Sequence, residues 1–475
     1  VELVSLLVAL AYTAAVIVFV MRYCYFYGDD FSGFLLSRTD RLASYVIYPV
    51  GGQVVPLARL LNMAFFSVAG LSYGAAVITL LLLHLVGIVY LYRTLALLGR
   101  SPLNAVLTAL YACYIYTWVQ LGWWIAGLER MPFMALSAMA VFHSVRHEQA
   151  GRRSDLVAAS ILTVLALGFY SKAVLLPVAL VGLDVARIPL QSLRARARFF
   201  AVRWITAAGV FVVMMLSWVL EHRGSGVPLG ATSSTALSDF MKFGLLSYAH
   251  GAFVTYVGAE SHSPRPAVGL LWLALVAYTC YRSPRAAVAW LILFGLVFSN
   301  LLVIGVSSRA VLFGPSLAFE IRYYWELWFF SILFVGVILK QLPATTPEAR
   351  WVLSAPKGAT QGIVAVLLVS YALLAYREFS TATLWQAAPF TKTRAFVATL
   401  REDLKRLNSP DAPLKLTDDN LPPYVFGLDL TATQQSQLLF LMKERVMYSL
   451  PGKADYRITP SGHIVRISEK ARPAR

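Results

Sequence analysis

Long apolar runs separated by short polar connections make up most of the chain. They fall near residues 3–23, 73–92, 104–122, 126–143, 156–170, 173–187, 204–220, 266–281, 286–305, 324–340 and 361–376. A helix needs about 20 apolar residues to cross a bilayer core, and these runs approach that length repeatedly. The pattern therefore predicts an all-α polytopic membrane protein with about 11 transmembrane helices. The opening run is long and no small-residue cleavage site follows it before Asp29, so it is expected to stay as a crossing and not to be removed as a signal.

The connections carry a second pattern. Arg93 and Arg100, then Arg146, Arg152 and Arg153, then Arg187 through Arg203, then Arg282 and Arg285, then Lys340, Arg350 and Lys357 occupy every second connection. Basic loops stay in the cytoplasm, so the alternation sends the others to the opposite side. Those are residues 28–72, 221–265, 306–323 and the C-terminal tail. The 28–72 loop has apolar residues at helical spacing (Leu57, Leu60, Leu61, Phe65), which predicts one or two helices lying in the interface. After residue 379 charge, proline and turn residues return. Residues 1–379 read as a transmembrane domain, and 380–475 as a small α+β extracytoplasmic domain. In it "TKTRAFVATLREDLKRL" has helical periodicity and "GHIVRIS" reads as a strand.

Composition supports this reading. Of 475 residues 58% are hydrophobic and 14% charged, against about a quarter charged in soluble domains. The net charge of +17 lies in the connections, where topology explains it, so nucleic acid is not an expected partner. Cys24, Cys113 and Cys280 are scattered without metal-ligand spacing. No glycine-rich phosphate loop is present, which argues against transport driven by nucleotide hydrolysis within this chain.

Candidate chemistry gathers on the non-cytoplasmic side. Directly after the first crossing stands "CYFYGDDFSGF", with Asp29 and Asp30 adjacent. Neighbouring carboxylates raise each other's cost unless water, a metal or a cation offsets them. One could act as general base toward a hydroxyl. The other could orient it, hold an acceptor or join a divalent cation site. The bland alternative is a solvated helix terminus. Lys172, in "GFYSKAVLLP", sits where an ammonium would meet a lipid phosphate, or merely snorkels. Arg322 and Tyr323, in "FEIRYYWELW", could bind phosphate, although Glu320 could equally pair with Arg322. Glu129 and Arg130 interrupt an apolar run, as a structural pair or as part of a polar acceptor cavity. Trp123 and Trp124 stand beside them, as interfacial anchors or cavity walls. His84, alone in mid-helix, is expected to bond to a neighbouring helix.

Taken together, "GDDF" after the first crossing, the long amphipathic loop that follows it, "YSKAVLLP" and a terminal soluble domain resemble the GT-C superfamily of integral membrane glycosyltransferases, which use polyprenyl-phosphate sugars. The resemblance implies transfer of a single sugar from such a donor to a hydroxyl of a glycan, lipid-linked saccharide or cell-envelope polymer. It implies an inverting displacement at the outer face of a bacterial inner membrane. Asp29 would be the base and Asp30 its companion, with Lys172, Arg322 and Tyr323 at the donor phosphate. No cofactor is required by this scheme, a divalent cation at Asp29 and Asp30 being an option. Gln53 stands where some relatives carry His. Trp123-Trp124 is followed by Ile125 and not Asp, which sets the chain apart from oligosaccharyltransferases. The alternative class is a lipid-linked saccharide flippase or other secondary transporter, which would use the same polar groups as a path.

Overall fold

The computed structural model describes residues 1–47, 54–114, 116–188, 234–251, 266–305, 325–342, 357–407, 414–426, 434–442 and 453–467, with a few single positions between them. The first helix, α1 (Glu2–Tyr23), is apolar throughout and ends where Cys24 turns extended. Three short helices follow: α2 (Asp29–Thr39), α3 (Leu42–Ile47) and α4 (Pro56–Ala69). Pro56 opens α4, where its missing N–H costs nothing. Helix α4 turns one face into the protein. That face consists of Ala58, Arg59, Asn62, Phe65 and Phe66, while Leu60 is exposed. The polar members of that face have partners inside the fold, and a bonded amide can be buried at little cost.

Next come α5 (Tyr73–Leu98), α6 (Leu103–Ala112), α7 (Thr117–Gly122), α8 (Trp124–Ala150), α9 (Arg153–Phe169) and α10 (Leu175–Arg187). The run at 104–122 is thus broken into α6 and α7, with Tyr114 at the break stacked on Trp328 at 5.0 Å. Helix α8 packs between α5 and α9. Gly127 is required there, because a Cβ would lie 2.0 Å from the Gln120 carbonyl oxygen and 2.7 Å from Leu80. Further along are α11 (Ser234–Gly251), α12 (Pro266–Arg282), α13 (Pro284–Gly305), α14 (Trp325–Gln341) and α15 (Lys357–Leu407).

Among the described residues four helices, α1, α5, α8 and α13, are individually long and apolar enough to span a bilayer. Most other predicted runs fall on shorter or interrupted helices, such as α6 or the 17-residue α9, α12 and α14, while the run at 361–376 forms part of the longer α15. The predicted run at 204–220 lies largely outside the described residues. The chain is a multi-pass helical membrane protein.

Helix α15 is 51 residues long and passes residue 380 without interruption. Its end packs on a small sheet with strands β1 (Lys415–Leu416), β2 (Met447–Tyr448), β3 (Tyr456–Ile458) and β4 (Ile464–Arg466). The order is β2-β1-β3-β4, with β1 parallel to both neighbours and β3–β4 an antiparallel hairpin. Short helices α16 (Pro423–Phe426) and α17 (Gln435–Leu441) complete this α+β unit.

Candidate active site

Two polar centres stand at the same end of α8. The first is the turn that starts α2. Gly28 has φ +42°, a conformation that L side chains rarely adopt, and it precedes Asp29 and Asp30 as the first residues of the helix. The two carboxylates then diverge. Asp29 is exposed, whereas Asp30 is fully buried. Asp30 Oδ2 accepts the Tyr27 amide at 2.9 Å and Oδ1 accepts the Ile125 amide at 2.8 Å. Ile125 lies in the first turn of α8, so Asp30 satisfies one of the orphan amides there and joins α2 to α8. Burial pushes the Asp30 carboxyl up to about 8; the Ile125 and Tyr27 amides pull against this, and the Asp29 charge adds to it.

The surroundings hold this turn from both sides. Trp124 is buried with its indole N–H donating to Asn62 Oδ1 at 2.7 Å. Asn62 Nδ2 donates to the Tyr45 hydroxyl at 2.8 Å, which donates to the Gly33 carbonyl of α2 at 3.2 Å. From the other side, Arg394 of α15 donates to the carbonyls of Met21 (2.5 Å), Arg22 (3.0 Å) and Cys24, capping the C-terminus of α1. The Phe390 ring packs tilted against Tyr27 with centroids 5.0 Å apart, and the Gly28 amide donates to the Val425 carbonyl at 3.4 Å. The C-terminal unit therefore clasps the segment on which Asp29 is displayed.

The second centre lies inside the bundle. Arg130 is five residues beyond Ile125 on α8, about 7.5 Å along the axis. Its guanidinium carbon is 5.5 Å from the Tyr170 ring centroid, and the Lys172 ammonium is 5.7 Å from the same ring. Lys172 sits in a 3₁₀ turn, Ser171–Val174, between α9 and α10. It donates to Glu326 of α14, and Arg130, Lys172 and Glu326 are all buried. The Gln120 amide, oriented to suit its neighbours, accepts from Arg130 at 2.9 Å.

The structure thus brings Asp29, Asp30, Trp123, Trp124, Glu129, Arg130 and Lys172 to one end of α8. Glu129 is one turn beyond Ile125 on the same helix face. Trp124 is a core side chain fixed by Asn62, and Trp123 precedes the first turn of α8. Glu320, Arg322, Tyr323 and Gln53 lie outside the described residues. His84 is buried against Tyr111 and Trp325, with ring centroids 5.7 and 6.3 Å away. Neither of its ring nitrogens has a hydrogen-bond partner among the described residues, unlike the bonded histidine that the sequence suggests. Sequence reasoning missed Glu326, Tyr170, Asn62 and Tyr45. Glu326 had a signal, since it is a single acid entering an apolar run. The others have none, because their partners are remote in sequence.

Both Asp30 oxygens are engaged by backbone amides, and among the described residues no group of three His, Cys, Asp or Glu side chains could hold a metal.

The fold has a solved counterpart. The chain is similar to the crystal structure of ArnT from Cupriavidus metallidurans in the apo state, with a TM-score of 0.51 and 14% identity. The match covers 93% of this chain and 85% of that one. ArnT from the same organism bound to undecaprenyl phosphate matches with a TM-score of 0.46, again at 14% identity and over the same shares. Neither a family model nor a curated protein matches the chain in sequence.

Proposed function

We propose that this protein is an integral membrane glycosyltransferase that moves one sugar from a polyprenyl-phosphate donor to an acceptor hydroxyl, with inversion. The single observation that carries this reading is the division of labour within the Asp pair. Asp30 is consumed by structure, which leaves Asp29 displayed on a rigid helix start, at the same end of α8 as the buried Lys172 and Arg130.

Asp29 takes the proton of the acceptor hydroxyl as that oxygen attacks the anomeric carbon. The bond from that carbon to the phosphate oxygen breaks, and the electron pair leaves with the polyprenyl phosphate. Lys172, with Arg322 and Tyr323 from the segment before α14, stabilises the charge that develops on the leaving phosphate. Arg130 lies beside Lys172 and serves the same end, while Glu326 fixes the ammonium. Glu129 and Trp123 border the acceptor side. The Asp end of the bundle faces the extracytoplasmic side of a bacterial inner membrane, consistent with basic residues on alternate connections. The acceptor is a glycan, a lipid-linked saccharide or a cell-envelope polymer.

The test is transfer from radiolabelled polyprenyl-phosphate sugars by purified protein in nanodiscs, with glycan and lipid-linked acceptors. Turnover of at least one donor is expected. Movement of lipid-linked saccharide across liposomes without any transfer would sink the reading in favour of a flippase.

A further inference from the structure

A cleft of about 590 Å³ opens on the C-terminal unit, between the start of α16, the start of α17 and the end of β3. That volume is within the roughly 300–1,000 Å³ of small-molecule sites. One wall is apolar, formed by Pro423 and Tyr424, whose hydroxyl donates across to the Pro460 carbonyl and fixes the ring. The rest is polar: Asp419, Arg457, Thr459 and Gln435. Gln435 is only 3% exposed, and its Oε1 has no hydrogen-bond partner. A buried acceptor left unmatched costs about 1–3 kcal/mol, so its presence on the wall of a cleft calls for a donor from a ligand.

The ligand chemistry follows from the lining. Asp419 and Arg457 offset one another in charge, which does not favour a phosphate or another polyanion. Donors (Arg457, Thr459) and acceptors (Asp419, Gln435) both face the space, matching hydroxyl groups that donate and accept together. A proline–tyrosine wall suits the apolar C–H face of a pyranose ring. The position is also telling. Val425, next to Tyr424, accepts the Gly28 amide directly before Asp29. We propose that this cleft is a saccharide-binding subsite that presents an acceptor glycan to the Asp turn. Its role toward an acceptor rests on the transferase reading; its binding of saccharide does not.

Saturation-transfer-difference NMR on the full chain in nanodiscs tests this, with maltose, cellobiose, mannobiose and galactobiose as probes. The native protein is expected to saturate at least one of them. Arg457→Ala, at an exposed position, should weaken that binding about tenfold. Gln435→Met should weaken it similarly while thermal stability holds or rises, because the unmatched acceptor is gone. Failure of the native protein to saturate any probe overturns the subsite, and so does native-like binding by both variants. Binding without any sugar transfer would leave the subsite standing and remove only the transferase reading.

Discussion

Asp29 and Asp30 are adjacent in sequence and end in opposite environments, whereas Lys172 and Glu326 are 154 residues apart and end as one buried pair. The first centre is built locally. A glycine turn starts a helix, its first carboxylate, Asp29, is exposed, and the next, Asp30, folds back onto the backbone. The second is built by packing, with α10's leading 3₁₀ turn brought against α14 and Tyr170 placed between two cations. The contrast separates two uses of charge in this protein. The buried carboxyl at the turn is held by backbone amides, which fix its position. Charge inside the bundle is held by other charge, because apolar surroundings make a lone ion too costly.

Breaking the turn at its exposed member should produce the largest effect. Asp29→Asn is expected to lower sugar transfer by about 10²–10⁴-fold, the range of a positioned general base. Its melting behaviour should stay close to native, since an exposed substitution changes stability by about 0.5 kcal/mol or less. At the second centre, Lys172→Met leaves the Glu326 carboxylate buried without its ammonium. A loss of about 3–5 kcal/mol is expected, read as a drop in melting temperature in nanodiscs. The double variant Lys172→Met/Glu326→Leu should recover most of that stability while transfer remains impaired. A double variant as unstable as the single one would show that the pair is not what the first substitution broke.

How much of this could be seen in the sequence follows the same division. The Asp pair, its glycine and the end of the first helix are contiguous, and the turn they form could be read from eleven letters. Glu326 was visible as a lone acid but not as the partner of Lys172, because nothing within either segment encodes the packing of α10 on α14. The continuity of α15 through residue 380 was hidden by a change in composition that leaves helical propensity intact. The fate of Asp30 was hidden for a related reason, since the amide that engages Oδ1 belongs to Ile125 on another helix.

Smaller effects sharpen the picture. Asp30→Asn keeps one acceptor oxygen but presents an NH₂ to the other amide, and leaving one buried N–H unmatched should cost about 1–3 kcal/mol. The pH dependence should have opposite signs at two acids. Because burial raises Asp30 to about 8, the native state holds a proton that the unfolded chain releases above about 4. Its contribution to stability therefore falls as pH climbs through that interval. At Asp403, on α15, burial acts upward, but it is outweighed by the Ile464 amide (2.9 Å), His463 and Arg406, and the carboxyl is held below its usual value. Its contribution is present above the ordinary carboxylate range and is lost as pH falls through the native value. Melting curves across pH for Asp30→Asn and Asp403→Asn should each flatten one of these slopes and leave the other.

The most direct test of the account measures transfer and melting temperature together for Asp29→Asn and Asp30→Asn. The predicted result is a crossing: Asp29→Asn melts like the native protein and transfers almost no sugar, while Asp30→Asn melts lower and keeps transfer in the molecules that remain folded. An Asp29→Asn protein that transfers at the native rate, beside an Asp30→Asn protein that is fully folded and inactive, would contradict it.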